Sequence, residues 1–381
     1  MTLEVQENVP LAPLTTLQVG GPARFFVTAT TENEVAEAFE YADVKKLDIF
    51  VLGGGSNILV SDSGFDGLVI HVKLRGIGGG SASVNERATP SPDRLASGLR
   101  PRPVRNGHAV EDRSLNDSER VSAMAGEDWD NFVEHCVAND LAGVECLSGI
   151  PGLVGGTPVQ NVGAYGQEVS ETIVSVRCFD RRTRGFIDLK NEECGFEYRK
   201  SIFNSAHRDR YVVLSVNFKL TPGGKSKIVY RDLRQYFGAR EPALRETREA
   251  VLEIRRAKSM VIDPTDPNSQ SAGSFFKNPI VSQKRFDEIA SRFGRVPSFP
   301  AGDDLVKIPA AWLIERAGFR KGLVHGNAGI SSNHTLAIIN RGGATAAEIV
   351  SLKDAVQAAV ESQFRISLQP EPICVGFRSC Q

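Results

Sequence analysis

The chain has 381 residues, 41% apolar and 24% charged, long enough for two or three domains with sizeable cores. Its 45 Lys and Arg stand against 46 Asp and Glu, so no global field draws it to nucleic acid or an anionic membrane, and any anionic ligand must be held by local groups. The N-terminus, MTLEVQENVPLAPL, has no basic n-region and no apolar h-region, and no later stretch approaches a membrane span of about 20 residues, which points to a cytoplasmic protein. The six cysteines form no CxxC pair and no His cluster accompanies them, so reduced structural thiols and no metal site are the expectation.

Thr31 and Glu34 form a capping box that opens a helical run to about Lys46. Ile49–Leu52 reads as a short strand ending at Gly53-Gly54-Gly55-Ser56-Asn57, after which Ile58–Val60 implies a tight reversal. Leu68–Leu74 is a further strand, and Asp128–Leu141 an amphipathic helix with Trp129, Phe132, Val133 and Val137 on one side. Ile173–Phe179, Arg184–Leu189 and Val212–Leu220 follow as strands, the last alternating as a half-buried sheet strand does. Thr221–Lys225 breaks the pattern, and the remainder is richer in helix: Arg245–Lys258, Ser282–Phe293, Pro309–Ala317 and Thr345–Phe364, with a second capping box at Thr345 and Glu348. The fold class is α+β, with a boundary near residue 222 separating residues 1–222 from 223–381.

Residues 78–120 differ from everything else: no aromatic, scattered prolines, and seven arginines against six carboxylates. They read as a mobile insertion. Ser148–Glu168, SGIPGLVGGTPVQNVGAYGQE, carries six glycines, two prolines and one charge. Glycine lets the main chain approach a ligand closely and adopt positive φ, so successive N–H groups can converge on a diphosphate without Lys or Arg. An ordinary surface loop is the plainer alternative, since the segment has neither a P-loop nor G-x-G-x-x-G.

Six segments in this order resemble the UDP-N-acetylenolpyruvoylglucosamine reductase (MurB) family over nearly the whole chain: Thr16–Ala23 (TLQVGGPA), Val51–Leu59 (VLGGGSNIL), Ser148–Glu168, Tyr198–Phe203 (YRKSIF), Ser271–Pro279 (SAGSFFKNP) and Pro370–Pro372 (PEP). The resemblance implies an FAD-binding module of the vanillyl-alcohol-oxidase type in residues 1–222, followed by a smaller α+β substrate-binding domain in 223–381, whose last residues, about 370–381, return to the active site. It places noncovalent FAD along Gly53, Gly54, Gly55, Ser56 and Asn57, and along Gly149, Ile150, Pro151, Gly155, Gly156, Gln160, Asn161, Gly163 and Ala164. The Gly53–Asn57 loop has no His or Cys for a covalent flavin bond. His71, His135 and His207 are assigned to packing or surface.

The implied reaction is NADPH-dependent reduction, through FAD, of a UDP-sugar enolpyruvyl ether to UDP-N-acetylmuramate for peptidoglycan precursor synthesis. Arg199 matches the family's catalytic arginine, suited to a bidentate grip on the substrate carboxylate. Ser274 matches the serine that donates a proton to carbon. Glu371, held between two prolines, matches the third catalytic residue. Tyr230, Lys258 and Asn278 match substrate contacts, with Tyr230 in the subgroup whose tyrosine loop covers the substrate. The implied partners are the UDP-sugar and NADPH, with no nucleic acid and no membrane. A flavin oxidase of the same fold and a non-catalytic nucleotide-sugar binding protein remain as rivals.

Overall fold

The computed structural model describes residues 3–79 and 119–377, so most of the 78–120 segment and the last four residues lie outside the described residues. The chain opens with β1 (Gln6–Pro10), β2 (Pro22–Ala29), α1 (Glu32–Lys45), β3 (Ile49–Leu52), β4 (Ile58–Val60) and β5 (Phe65–Val72). A four-stranded sheet runs β1-β2-β5-β3, with β2 and β3 both parallel to β5. Helix α1 starts where the sequence predicts: the Thr31 hydroxyl accepts the Glu34 N–H and the Glu34 carboxylate accepts the Thr31 N–H. It stops at Lys46, whose left-handed φ of 55° closes the last turn.

A six-stranded sheet follows, built from β6 (Ile77–Gly79), β7 (Glu119–Met124), the short strand β8 (Leu141–Ala142), β11 (Ile173–Asp180), β12 (Gly185–Lys190) and β13 (Tyr211–Pro222). Its main path is β12-β11-β13-β7-β6, all antiparallel, with β8 on the end of β13. Helix α2 (Trp129–Ala138) is capped by Asp128, and the small pair β9 (Gly163–Ala164) and β10 (Gln167–Glu168) lies inside the glycine-rich segment. One core joins the two sheets, with Phe39 of α1 at 5.1 Å from Phe179 of β11 and Phe132 of α2 at 4.8 Å from Phe218 of β13. Each such ring contributes about 2–3 kcal/mol through burial, which fixes the two sheets relative to each other.

Two local expectations are corrected. Strand β13 is not half-buried over its first half: Val212 through Val216 are all buried, because β13 lies between β11 and β7 and both its faces are covered. Strand β4 does not turn back on β3; it runs parallel to β20 (Ile373–Val375), a pairing that no local turn signal could announce.

The remaining elements are α3 (Arg231–Phe237), α4 (Leu244–Ala257), β14 (Ile280–Ser282), α5 (Gln283–Phe293), β15 (Phe299–Pro300), β16 (Leu305–Lys307), α6 (Ala310–Arg316), β17 (Val324–His325), β18 (Ala328–Ile330), β19 (Ile338–Asn340) and α7 (Ala346–Phe364). Two three-stranded sheets, β14-β16-β15 and β17-β18-β19, pack with α7 around Ile349, Leu352, Val356, Val360 and Phe364. Asp62, from the first half of the chain, accepts the N–H groups of Ala346 and Ala347 at 2.7 and 3.0 Å and so seats the start of α7. Helices α3 and α4 pack instead on the glycine segment, where Leu233, Phe237, Ala250 and Val251 bury Cys146 and Tyr165. Ser271–Pro279 is not the expected strand: it bends at Gly273, at φ 75°, and bridges singly at Ser271 with Ile339 and at Phe276 with Pro370.

Among the described residues, no helix is long and apolar enough to cross a membrane. Cys136, Cys146, Cys178 and Cys194 are free and buried.

Candidate active site

A cavity of about 720 Å³ runs between the two glycine-rich segments. Gly53, Gly54, Gly55, Ser56, Asn57, Ile150, Pro151, Gly155, Gly156 and Gln160 line it, together with Glu371. The walls are shaped by absent side chains. A Cβ on Gly53 or Gly156 would meet nothing within 4 Å, so bare backbone lies open there. A Cβ on Gly54 would stand 2.6 Å from the Cα of Gly152, so the two loops touch backbone to backbone. Such walls fit FAD: they let main-chain N–H groups reach a diphosphate and leave a broad slot for a planar ring. Cations from outside the two glycine loops also reach it: Arg181, Arg208, Lys277 and Lys353. Nothing in their spacing marks these four in the sequence, since they come from four separate segments.

Asn57 ties the walls together. Its Nδ2 donates to Gln160 Oε1 at 2.9 Å and to the Glu371 carbonyl at 3.2 Å, joining both flavin loops to the C-terminal Pro-Glu-Pro turn. The Thr16–Ala23 motif braces the same loop from behind, the Thr16 N–H donating to the Gly55 carbonyl at 3.1 Å. Four expected cofactor residues lie off the cavity wall. Gly149 donates its N–H to Asp130, and the Gly163 carbonyl accepts from Arg199. Asn161, buried and with φ of 46°, bonds Glu168, Ser170 and the Glu197 carbonyl, while Ala164 packs toward α3 and α4. The Gly149 N–H, the Gly163 carbonyl and the Asn161 side chain thus have protein partners that hold the segment's shape.

Arg199 stands in the left-handed region at φ 53°, a strained position for a residue with a Cβ, and its carbonyl accepts from Asn204 Nδ2 at 3.2 Å and from Lys277 Nζ at 3.5 Å. Its guanidinium donates to the Gly163 carbonyl at 2.8 Å and lies 3.6 Å from Glu371 Oε2. Burial raises the Glu371 pKa above the ordinary glutamate value, and Arg199 and Lys277 pull against that rise without cancelling it. The Glu371 N–H donates to the Phe275 carbonyl at 2.9 Å, which sets the residue after Ser274 directly against the Pro-Glu-Pro turn. Among the described residues the half-buried Ser274 hydroxyl has no hydrogen-bond partner, so it is free to serve a ligand.

Tyr230, at the start of α3, packs edge-on against Tyr165 at 5.4 Å, and Lys258 caps α4 with its Nζ on Asp232 at 2.7 Å and 5.9 Å from the Tyr165 ring. Tyr165 follows Gly163 by two residues, so this group adjoins Arg199 through Gly163. Asn278 is spent differently: its Oδ1 accepts the Ala310 N–H at 2.8 Å and caps α6. Tyr165 and Lys277 are the neighbours that the sequence reading passes over. Both stand inside motifs it quotes, but only the folded chain turns them toward the site.

Comparison with known proteins places the chain in a family. A family model described as FAD binding domain matches residues 23–86 and 106–184, and one described as UDP-N-acetylenolpyruvoylglucosamine reductase, C-terminal domain, matches residues 264–375. The chain is 44% identical over 99% of its length to the UDP-N-acetylenolpyruvoylglucosamine reductase of Thermobifida fusca, itself covered over 99%. It is 45% identical over 96% of its length to that of Saccharopolyspora erythraea, covered over 94%. The crystal structure of UDP-N-acetylenolpyruvylglucosamine reductase (MurB) from Thermus caldophilus superposes with a TM-score of 0.61 at 25% identity, covering 98% of this chain and all of that one. With an FAD-binding fold, a backbone-walled slot and near full-length identity of this order, the chain belongs to the UDP-N-acetylenolpyruvoylglucosamine reductase (MurB) family of FAD-dependent oxidoreductases.

Proposed function

We propose that this chain reduces UDP-N-acetylglucosamine enolpyruvate to UDP-N-acetylmuramate in the cytoplasm, with Arg199, Ser274 and Glu371 meeting the reacting group. FAD, held by the walls around Gly53–Asn57 and Ile150 to Gly156, would supply the hydride chemistry between NADPH and the terminal carbon of the enolpyruvyl alkene. The protein's part is to hold the alkene, offset the charge that spreads into its carboxylate, and place a proton on the adjacent carbon. Arg199 grips the carboxylate, and its strained backbone, pinned by Asn204 and Lys277, keeps that grip from drifting. Ser274 hands its proton to carbon, a transfer that a hydroxyl makes only when nearby cations meet the alkoxide it leaves. Glu371 orients Arg199 across their 3.6 Å contact.

Residues 1–222 act in this reading as the FAD-binding module and 223–381 as the substrate-binding domain. Tyr230 and Lys258 cover the UDP-sugar diphosphate, and Asn278 holds the substrate-side loop by capping α6. Small molecules, the UDP-sugar and NADPH, are the partners, with no nucleic acid and no membrane. The observation that carries the reading is the meeting of Arg199 with Glu371, from segments far apart in the chain, where Glu371 lines the backbone-walled slot and bonds the Phe275 carbonyl next to Ser274. Purified protein should be yellow and should consume NADPH rapidly only with the enolpyruvyl sugar, not with the UDP-sugar lacking that group; NADPH consumption indifferent to the sugar would overturn the reading.

A further inference from the structure

The start of α2 grips the entry to the long glycine segment at three points. Trp129 Nε1 donates to the Leu147 carbonyl at 3.0 Å, the Trp129 N–H donates to the Gly152 carbonyl at 3.0 Å, and Asp130 Oδ1 accepts the Gly149 N–H at 2.5 Å. Asp130 is in turn held by Arg248 of α4, Nη1 on Oδ1 at 2.6 Å and Nη2 on Oδ2 at 2.9 Å, a two-pronged pair in which the Arg248 side chain is 11% exposed. Burial works to raise the Asp130 carboxyl, but the bonds from Arg248 and the Gly149 amide outweigh it and hold its pKa below the ordinary value.

Gly149 has φ of 70°, and a Cβ there would stand 2.7 Å from Leu252 of α4, so α4 presses on the loop at the point where Asp130 holds it. Beyond Leu252 the same helix ends at Lys258, which faces Tyr165. On the other side, Ile150, Pro151, Gly155 and Gly156 form the cofactor cavity wall. Asp130 of α2 therefore links Arg248, on the helix that ends at Lys258, to the Gly149 amide at the entry of the loop that lines the cavity.

We infer that Asp130 and Arg248 are positioning residues of the reaction proposed above: their ion pair locks α4 onto the flavin loop, so that the affinities for FAD and for the UDP-sugar depend on it together. An ion pair that only stabilised the fold would leave both constants alone once the protein was folded. The test uses the FAD-loaded enzyme, with FAD dissociation and the KM for the enolpyruvyl UDP-sugar measured for Arg248→Met, Asp130→Asn, Arg248→Lys and the double variant. The Arg248→Met enzyme should lose about tenfold in FAD affinity and raise the sugar KM about fivefold, with kcat at saturation changing less than KM. The double variant should be no worse than the worse single one, and Arg248→Lys should recover part of the loss, because it keeps the charge without the fork.

A fall in melting temperature with both constants within twofold of wild type overturns the inference, as does a shift in only one of them. Should Arg248→Met fail to fold, the nearly isosteric Asp130→Asn carries the same two readouts. FAD dissociation is measured without sugar, so a wild type that bound FAD but did not reduce the sugar would defeat the proposed function while leaving the cofactor half of this test standing.

Discussion

Gly53–Asn57 and part of Ser148–Glu168 line the cofactor cavity with small residues close together in sequence, whereas Arg199, Ser274 and Glu371 come from three segments spread over more than 170 positions, and of these three Glu371 lines that cavity. A backbone wall depends on small residues in sequence, so its character is visible in composition and its failure is steric. A side-chain cluster depends on where remote segments end up, so its character is chemical and its failure appears in turnover first. Substitutions in the two regions should therefore separate cofactor affinity from rate.

The sharpest separation is expected from Ser274→Ala, which should slow sugar-dependent NADPH oxidation about a thousandfold while FAD dissociation stays unchanged. Stopped-flow measurement of flavin reoxidation by the sugar checks it, and a loss of FAD affinity would break the comparison. Arg199→Lys should cost about a hundredfold in kcat/KM, because a lysine keeps the charge but loses the planar fork; steady-state kinetics on the FAD-loaded enzyme measure this. Gly54→Val tests the other region: its side chain must push Gly152 away from 2.6 Å, and FAD affinity should fall about tenfold or more, with kcat of the residual holoenzyme nearly intact.

Two smaller effects concern protons. Glu371 has a raised pKa, so between the unfolded value and that raised value the folded state binds more protons than the unfolded state, and its contribution to stability is lost as pH rises through this window. Glu371→Gln should accordingly gain in melting temperature over wild type at pH 7 and lose that gain as pH falls below the unfolded glutamate value, in paired thermal scans across pH. His71, buried at 7% exposure on β5, has its pKa lowered to about 4 by burial and by Lys73, so it loses stability as pH falls from 6.5 toward 4. His71→Phe should remove roughly 1–2 kcal/mol of the decline in unfolding free energy between pH 7 and 5, read from urea midpoints.

Much of the local structure was legible before any coordinates. The capping boxes at Thr31 and Thr345 place α1 and α7, and Ile49–Leu52 is β3 to the residue, because caps and short apolar runs act through neighbours in sequence. Helix α3 escaped the sequence reading, since Tyr230 at its N-cap makes no side-chain cap and its apolar residues pack on the distant Tyr165 rather than on a sequence neighbour. The burial of Val213 and Ser215 was likewise out of reach, because alternation reports one covered face and β13 has two.

Residue type and short-range order by themselves determined the glycine segments and the motifs, for these rest on which atoms the chain carries and how tightly its backbone can turn, and the resemblance carried by those motifs named the three catalytic candidates. Only the tertiary structure decided that Gly149, Asn161, Gly163 and Ala164 shape the wall from behind, that Asn278 caps a helix, that β20 returns to β4, and that Asp130 joins Arg248 across more than a hundred residues. A polar group's partner is chosen by desolvation: once buried it must be satisfied by whatever the fold brings within about 3 Å, and sequence separation has no bearing on that distance.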